Sequence, residues 1–119
     1  MFEQVQPHET WPGGDSMHLA VIRRTPEQFT RQFGITFEHC QDDLDEFVIA
    51  AIELPSGTQV WLERHAGDPE KETLIVADVS VDATACVTEV FEQLEIDAQE
   101  VRWITPRASI PERPSIRFG

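Results

Sequence analysis

The stretch from Glu46 to Val79 constrains the fold more than any other part of the chain. It opens on Phe47-Val48-Ile49-Ala50-Ala51-Ile52, an apolar run that ends at Leu54. Pro55-Ser56-Gly57 follows, and proline presets φ for a turn while glycine supplies a positive φ, so a tight hairpin is expected. The next residues alternate, with Val60 and Leu62 on one face and Gln59, Trp61 and Glu63 on the other, the period of a half-buried strand. Ala66 to Glu72 is polar and rich in turn formers, and Thr73 to Val79 is a third strand. Short links imply antiparallel neighbours. The first strand of this meander has no polar face, so it belongs in the middle of a sheet, under a cover that the helices are expected to provide.

The flanking segments supply those helices and the remaining strands. Ser16 to Arg24 alternates, with Met17, Leu19 and Val21 on one face and His18, Ala20 and Ile22 on the other. Thr25-Pro26-Glu27-Gln28 carries a capping box and a proline at the first helical position, so a short helix is predicted from Pro26 to Phe33, ended by Gly34. Ile35 to Cys40 reads as a strand and Gln41 to Asp45 as an acidic turn. Asp82 caps a second helix whose apolar stripe is Ala83, Cys86, Val87, Val90, Phe91 and Leu94. Glu89, Glu92 and Glu95 run against the dipole of that helix near its C-terminus, and nothing adjacent in sequence offsets them. Gln99 to Ile104 is a last strand, with Val101 and Trp103 on one face.

The predicted fold is therefore α+β, a mainly antiparallel sheet of about five or six strands with two helices packed on one face, in the order β-α-β-β-β-β-α-β. Residues 1–105 form a single domain, opening with an irregular arm over 1–15 that Trp11 pins to the body. Residues 106–119 carry Pro106, Pro111 and Pro114 and read as a tail. The core is expected to hold Phe47, Ile49, Val60, Leu62, Leu74, Val76, Val87, Val90 and Phe91.

Charge is the dominant global property. The chain has 22 acidic residues against nine basic ones, a net charge of −13. Such a surface repels nucleic acid and anionic membrane and favours a basic partner. No apolar run is long enough for a membrane helix. Met1 to Gln6 lacks a basic region followed by an apolar one, so no secretory signal is expected. Two cysteines, Cys40 and Cys86, then read as free thiols in a reducing cytoplasm.

No catalytic or cofactor motif stands out. His39, Cys40 and His65 lie at strand ends and could converge on a metal only if the fold brought them together. Adjacent strand residues point to opposite faces, however, and no metal-ligand spacing supports the set. Ser56 is explained by its turn, and Gly13-Gly14 lacks the lysine and setting of a phosphate loop. No cofactor, metal or catalytic residue is therefore assigned. The residues that point to binding are Asp42, Asp43, Asp45 and Glu46, four carboxylates in five positions, with Trp61 and Glu63 on the meander and Glu89 and Glu92 on the second helix. An aromatic side chain among acids suits a contact with Lys and Arg on another protein. The expectation is a small acidic protein-binding domain that neutralises a basic protein, an immunity or inhibitor protein against a bacterial toxin such as a nuclease. The alternatives are an adaptor or chaperone that holds a peptide on a sheet edge, and a small enzyme using His39 or His65 as base.

Overall fold

The structure, a computed structural model, describes residues 1–7, 15–41, 46–67 and 71–110. The meander over Glu46 to Val79 forms and sits at the centre of a seven-stranded antiparallel sheet. In chain order the elements are β1 (Glu3–Val5), β2 (Ser16–Ile22), α1 (Pro26–Phe33), β3 (Glu38–Gln41), β4 (Glu46–Glu53), β5 (Gln59–His65), β6 (Thr73–Asp78), α2 (Ala83–Gln93), a 3₁₀ turn (Ala98–Glu100) and β7 (Val101–Ile104). The spatial order is β1-β4-β5-β6-β2-β7, and β3 shares the outer side of β4 with β1. The α+β fold with two helices is thus as expected, and the sheet gains a strand. Glu3–Val5, which has no readable period, pairs with Ala51–Glu53 as an edge strand inside what reads as an irregular arm.

Local chemistry accounts for the helices. Thr25 and Gln28 close the capping box on α1, and Gly34 ends it at φ 74°. The Asp82 carboxylate accepts the Ala85 N–H to start α2. The predicted stripe of α2 is buried, and with Phe29 of α1 it packs on Ala50, Ile52, Leu54, Val60, Leu62, Ile75 and Ala77 of the sheet. Both helices therefore cover one face. The other face has its own apolar cluster, formed among the described residues by Ile49, Ala51, Trp61 and Val76, ringed by Val5, Cys40, Phe47 and Leu74. The second face of β4 is thus buried as well, on the side of the sheet away from α1 and α2. Seven of the nine predicted core residues are buried, and Phe47 and Leu74 are half-buried at the rim of this second cluster.

Two register shifts depart from simple alternation. Between His18 and Ala20 the pairing of β2 with β6 slips, so Leu19 is an extra residue, and Leu19, Ala20 and Ile22 all enter the helix-side core. Met17 packs against that same core, so the predicted split of β2 into two clean faces does not hold. On β7 a shift at Arg102 sends both Val101 and Ile104 to the helix side and separates Val101 from Trp103. A bulge adds one residue to one strand and reverses the facing of everything beyond it.

One side chain ties these parts together. Arg24, only 7% exposed, follows β2 and lies over the Phe29 ring, 5.1 Å from its centroid. Its guanidinium donates to both Glu100 carboxylate oxygens, Nε at 2.9 Å and Nη2 at 2.5 Å. It also donates to the carbonyls of Leu94 and Glu95 at the end of α2, at 2.8 and 3.0 Å. Its own carbonyl accepts the Thr73 hydroxyl of β6 at 2.6 Å. The acidic C-terminal turn of α2 is therefore offset after all, by a cation from a distant part of the sequence that also satisfies two terminal carbonyls. Just beyond, Glu95 adopts φ 52° and the Ile96 N–H bonds back to the Phe91 carbonyl, a left-handed helix end built on a residue with a β-carbon.

Two stability outcomes follow from this joint. Arg24→Met should lower the urea-unfolding free energy by about 3–5 kcal/mol, because it leaves the Glu100 carboxylate without its partner. Arg24→Lys should recover little of it, since an ammonium cannot reproduce the planar fork. Glu95→Gly should raise stability by about 1 kcal/mol by relieving the left-handed backbone, with no change in the far-ultraviolet spectrum.

Candidate functional site

The antiparallel register sorts the charged side chains into two ends of the sheet. One end holds the β4–β5 turn, where the Leu54 N–H bonds to Thr58 and Gly57 takes φ 94°. Glu3 of β1 stands directly opposite Glu53 of β4 here. On the neighbouring strands Gln59 pairs with Glu53, and Asp78 pairs with Ser16 next to Asp15. Asp82 starts α2 from the same end, and Glu89 reaches the turn, accepting the Ser56 N–H at 2.9 Å and the Ser56 hydroxyl at 2.5 Å. Six acids, Glu3, Asp15, Glu53, Asp78, Asp82 and Glu89, thus gather at one end. Among the described residues none of them makes an ion pair. Arg107, whose carbonyl accepts the Thr84 hydroxyl, borders them and forms no salt bridge with them. The Ser80 hydroxyl and N–H hold the Asp78 carboxyl below its usual range, so it stays charged into mildly acidic solution.

The opposite end carries the ion pairs. Arg24 meets Glu100 there, Arg102 Nε meets Glu72 at 2.6 Å, His39 Nε2 lies 2.5 Å from Glu46, and His65 Nε2 lies 3.0 Å from Glu63. The His65 ring also stacks on Phe47, with centroids 5.0 Å apart.

Against this geometry the sequence candidates separate. Asp42, Asp43 and Asp45 lie outside the described residues, as do Trp11 and residues 111–119. Glu46 is exposed and engaged with His39. Trp61 is 2% and Glu63 5% exposed, both on the face of the sheet away from α1 and α2, so both side chains are interior. Glu92 is exposed on α2, while Glu89 holds the turn. Glu46 and Glu89 cannot belong to one patch, because the length of β4 separates them, about 23 Å at ~3.3 Å per residue. The acids that do meet are spread from position 3 to position 89, and only strand register brings them together.

The histidines and Cys40 do not converge. His39 pairs with Val48 and points to the helix side, whereas Cys40 and His65 flank Phe47 on the other face, two strands apart. Among the described residues no three His, Cys, Asp or Glu side chains are placed to hold a metal ion. Nor is any helix among them long and apolar enough to cross a membrane. Burial first, and then the charge of Glu38, raise the Cys40 thiol pKa. Burial pushes Cys86 up to about 12, helped by the charges of Glu89 and Asp82. Both thiols are free, and neither environment activates a nucleophile.

Compared with known protein families, with curated proteins and with solved structures, the chain matches none.

The Cys86 shift fixes an alkaline limb of stability. A thiol whose folded pKa lies above its unfolded value contributes stability that is intact below pH 9.0 and is lost as pH rises toward 12. With no tyrosine and one lysine in the chain, Cys40 is the main other group that titrates in that window. Cys86→Ala should flatten the fall in unfolding free energy between those pH values. In the native protein Ellman's reagent should label Cys40 and leave Cys86 unreacted until denaturant is added.

Proposed function

We propose that this chain is a small protein-binding domain that neutralises a basic protein, acting as an immunity or inhibitor protein toward a bacterial toxin, with a nuclease as the first candidate. The observation that carries this reading is the placement of Glu3 opposite Glu53 at the end of the sheet, with no ion pair to either among the described residues. Like charges directly opposite across an antiparallel pair destabilise a sheet. The fold therefore sustains a cost where four further carboxylates crowd the same end, which suits a Lys- and Arg-rich surface from another molecule. Such a surface steers a cationic partner at long range and mimics the phosphates a nuclease would otherwise bind. The domain contributes no chemistry of its own, needs no cofactor, and repels nucleic acid and anionic membrane. Its free thiols fit a cytoplasmic setting.

One observation favours the second reading, an adaptor that holds an extended peptide. β7 is an edge strand of only four residues among the described strands, and its Trp103 is 40% exposed, an aromatic anchor beside that edge.

The test is affinity capture from the source cells at low and at high salt, with the wild-type chain and with a Glu3→Gln, Glu53→Gln double variant. The expected outcome is a stoichiometric basic protein whose retention falls with salt and falls further with the variant. The same variant should unfold at higher urea, by a few tenths of a kcal/mol, because it removes the like-charge contact. A partner held equally by both forms and insensitive to salt would move the reading to the β7 edge, where Trp103→Ala should release it.

A further inference from the structure

The end of the sheet away from the acidic surface has its own helix-side features. The row His39, Val48, Arg64 crosses β3, β4 and β5 there. Glu46, Val48, Arg64 and Ala66, with Phe47 and His39, line a cleft of about 280 Å³. Its walls differ in charge. Arg64 forms one side, and its Nε is buried without a hydrogen-bond acceptor. Among the described residues its guanidinium makes no ion pair. Glu46 forms the other side, with His39 against it. Val48 is the apolar floor between them.

We propose that this cleft binds a small amino-carboxylate, a free α-amino acid with an apolar side chain. Three features select that class. Among the described residues the Arg64 guanidinium has no hydrogen-bond acceptor, and a carboxylate can take its two terminal amino groups in the two-pronged geometry that Arg is shaped for. Glu46 sits diagonally from Arg64 in the register, two residues along the neighbouring strand from its partner Val48. Diagonal β-carbons are about 7–8 Å apart, so one ligand can place its carboxylate on Arg64 and its ammonium toward Glu46. A phosphate dianion would meet the Glu46 carboxylate and a simple cation would meet Arg64, so only a zwitterion suits both walls. The third feature is size. The cleft is just below the usual size range of small-molecule sites, which fits a single amino acid with its side chain on Val48 and Ala66. This site is at the opposite end of β4 from Glu3 and Glu53 and stands independently of the protein-binding reading.

The experiment is a titration of the ¹⁵N-labelled full chain, followed by nuclear magnetic resonance, with L-leucine, with acetate and with isobutylamine as separate probes. Leucine should shift the Val48 and Ala66 amides and the Arg64 Nε–H saturably. Acetate and isobutylamine, each holding half of the recognised charge, should bind at least about tenfold more weakly. Arg64→Gln should abolish the leucine response while the rest of the spectrum stays dispersed. If that variant fails to fold, Arg64→Lys keeps the charge but loses the fork, and should weaken leucine by a similar factor. Glu46→Gln should remove the preference for leucine over acetate. Absence of a leucine-dependent shift in the cleft, or an equal response from a folded Arg64 variant, would overturn the proposal.

Discussion

The Arg24 guanidinium is the joint on which the fold closes. It is within reach of β2, α1, the end of α2, the 3₁₀ turn and β6 at once, and it bonds to groups 70 to 76 residues away in sequence. Each of its neighbours would be unsatisfied without it. The α2 carbonyls lack an intrahelical donor, Glu100 is only partly solvated, and the Phe29 face offers a π-surface to a cation. A buried charge is tolerated only when it is fully paired and hydrogen-bonded, and here the pairing also sets geometry. Glu100 in turn accepts the Asp97 N–H, and its carbonyl accepts the Arg23 N–H, so the same residue aims β7 at the edge of β2.

The parts of the fold readable in sequence are those governed by neighbours in the chain. The capping box at Thr25, the glycine stop at Gly34, the Pro55-Ser56-Gly57 turn and the stripe of α2 each depend on residues a few positions apart, and each forms as read. What sequence periodicity could not show depends on partners across the sheet. The bulge at Leu19 puts three near-consecutive residues into one core, which no period of two anticipates. β1 is too short to carry a pattern, and its place is set by pairing with β4 and by the Gln4 amide, which exchanges hydrogen bonds with the Thr36 backbone. The α2 acids read as uncompensated because the cation that offsets them lies some 70 residues earlier.

The same distinction governs the candidate site. A run such as Asp42 to Glu46 is conspicuous as text, but surface charge is a property of three-dimensional neighbours. Many acids of this chain have structural duties: Glu100 to Arg24, Glu72 to Arg102, Glu63 to His65, Asp82 at a helix start, Glu89 at a turn. Net charge counts all of them alike. Trp61 and Glu63 read as a polar strand face because their spacing from Gln59 is regular, yet that face is the floor of a second apolar cluster. Period two identifies that two faces exist, and it cannot say that both are buried.

Once the engaged acids are set aside, the charge has a direction. The ion pairs among the described residues lie at the end of the sheet where β4 begins, and six acids without an ion pair among those residues, Glu3, Asp15, Glu53, Asp78, Asp82 and Glu89, lie where it ends. Ion pairs are locally neutral and their fields fall away within a few ångströms, whereas a group of like charges keeps a field over about a Debye length, ~8 Å at physiological salt. Among the described residues, the end of the sheet where β4 finishes is therefore a group of like charges, and the end where it begins carries the ion pairs together with Arg64. A cationic protein approaching such an object is oriented before contact, with the β4–β5 turn toward it. On the proposed reading the Arg64 cleft faces away from a partner drawn by charge, and the two proposed sites can be occupied without steric conflict.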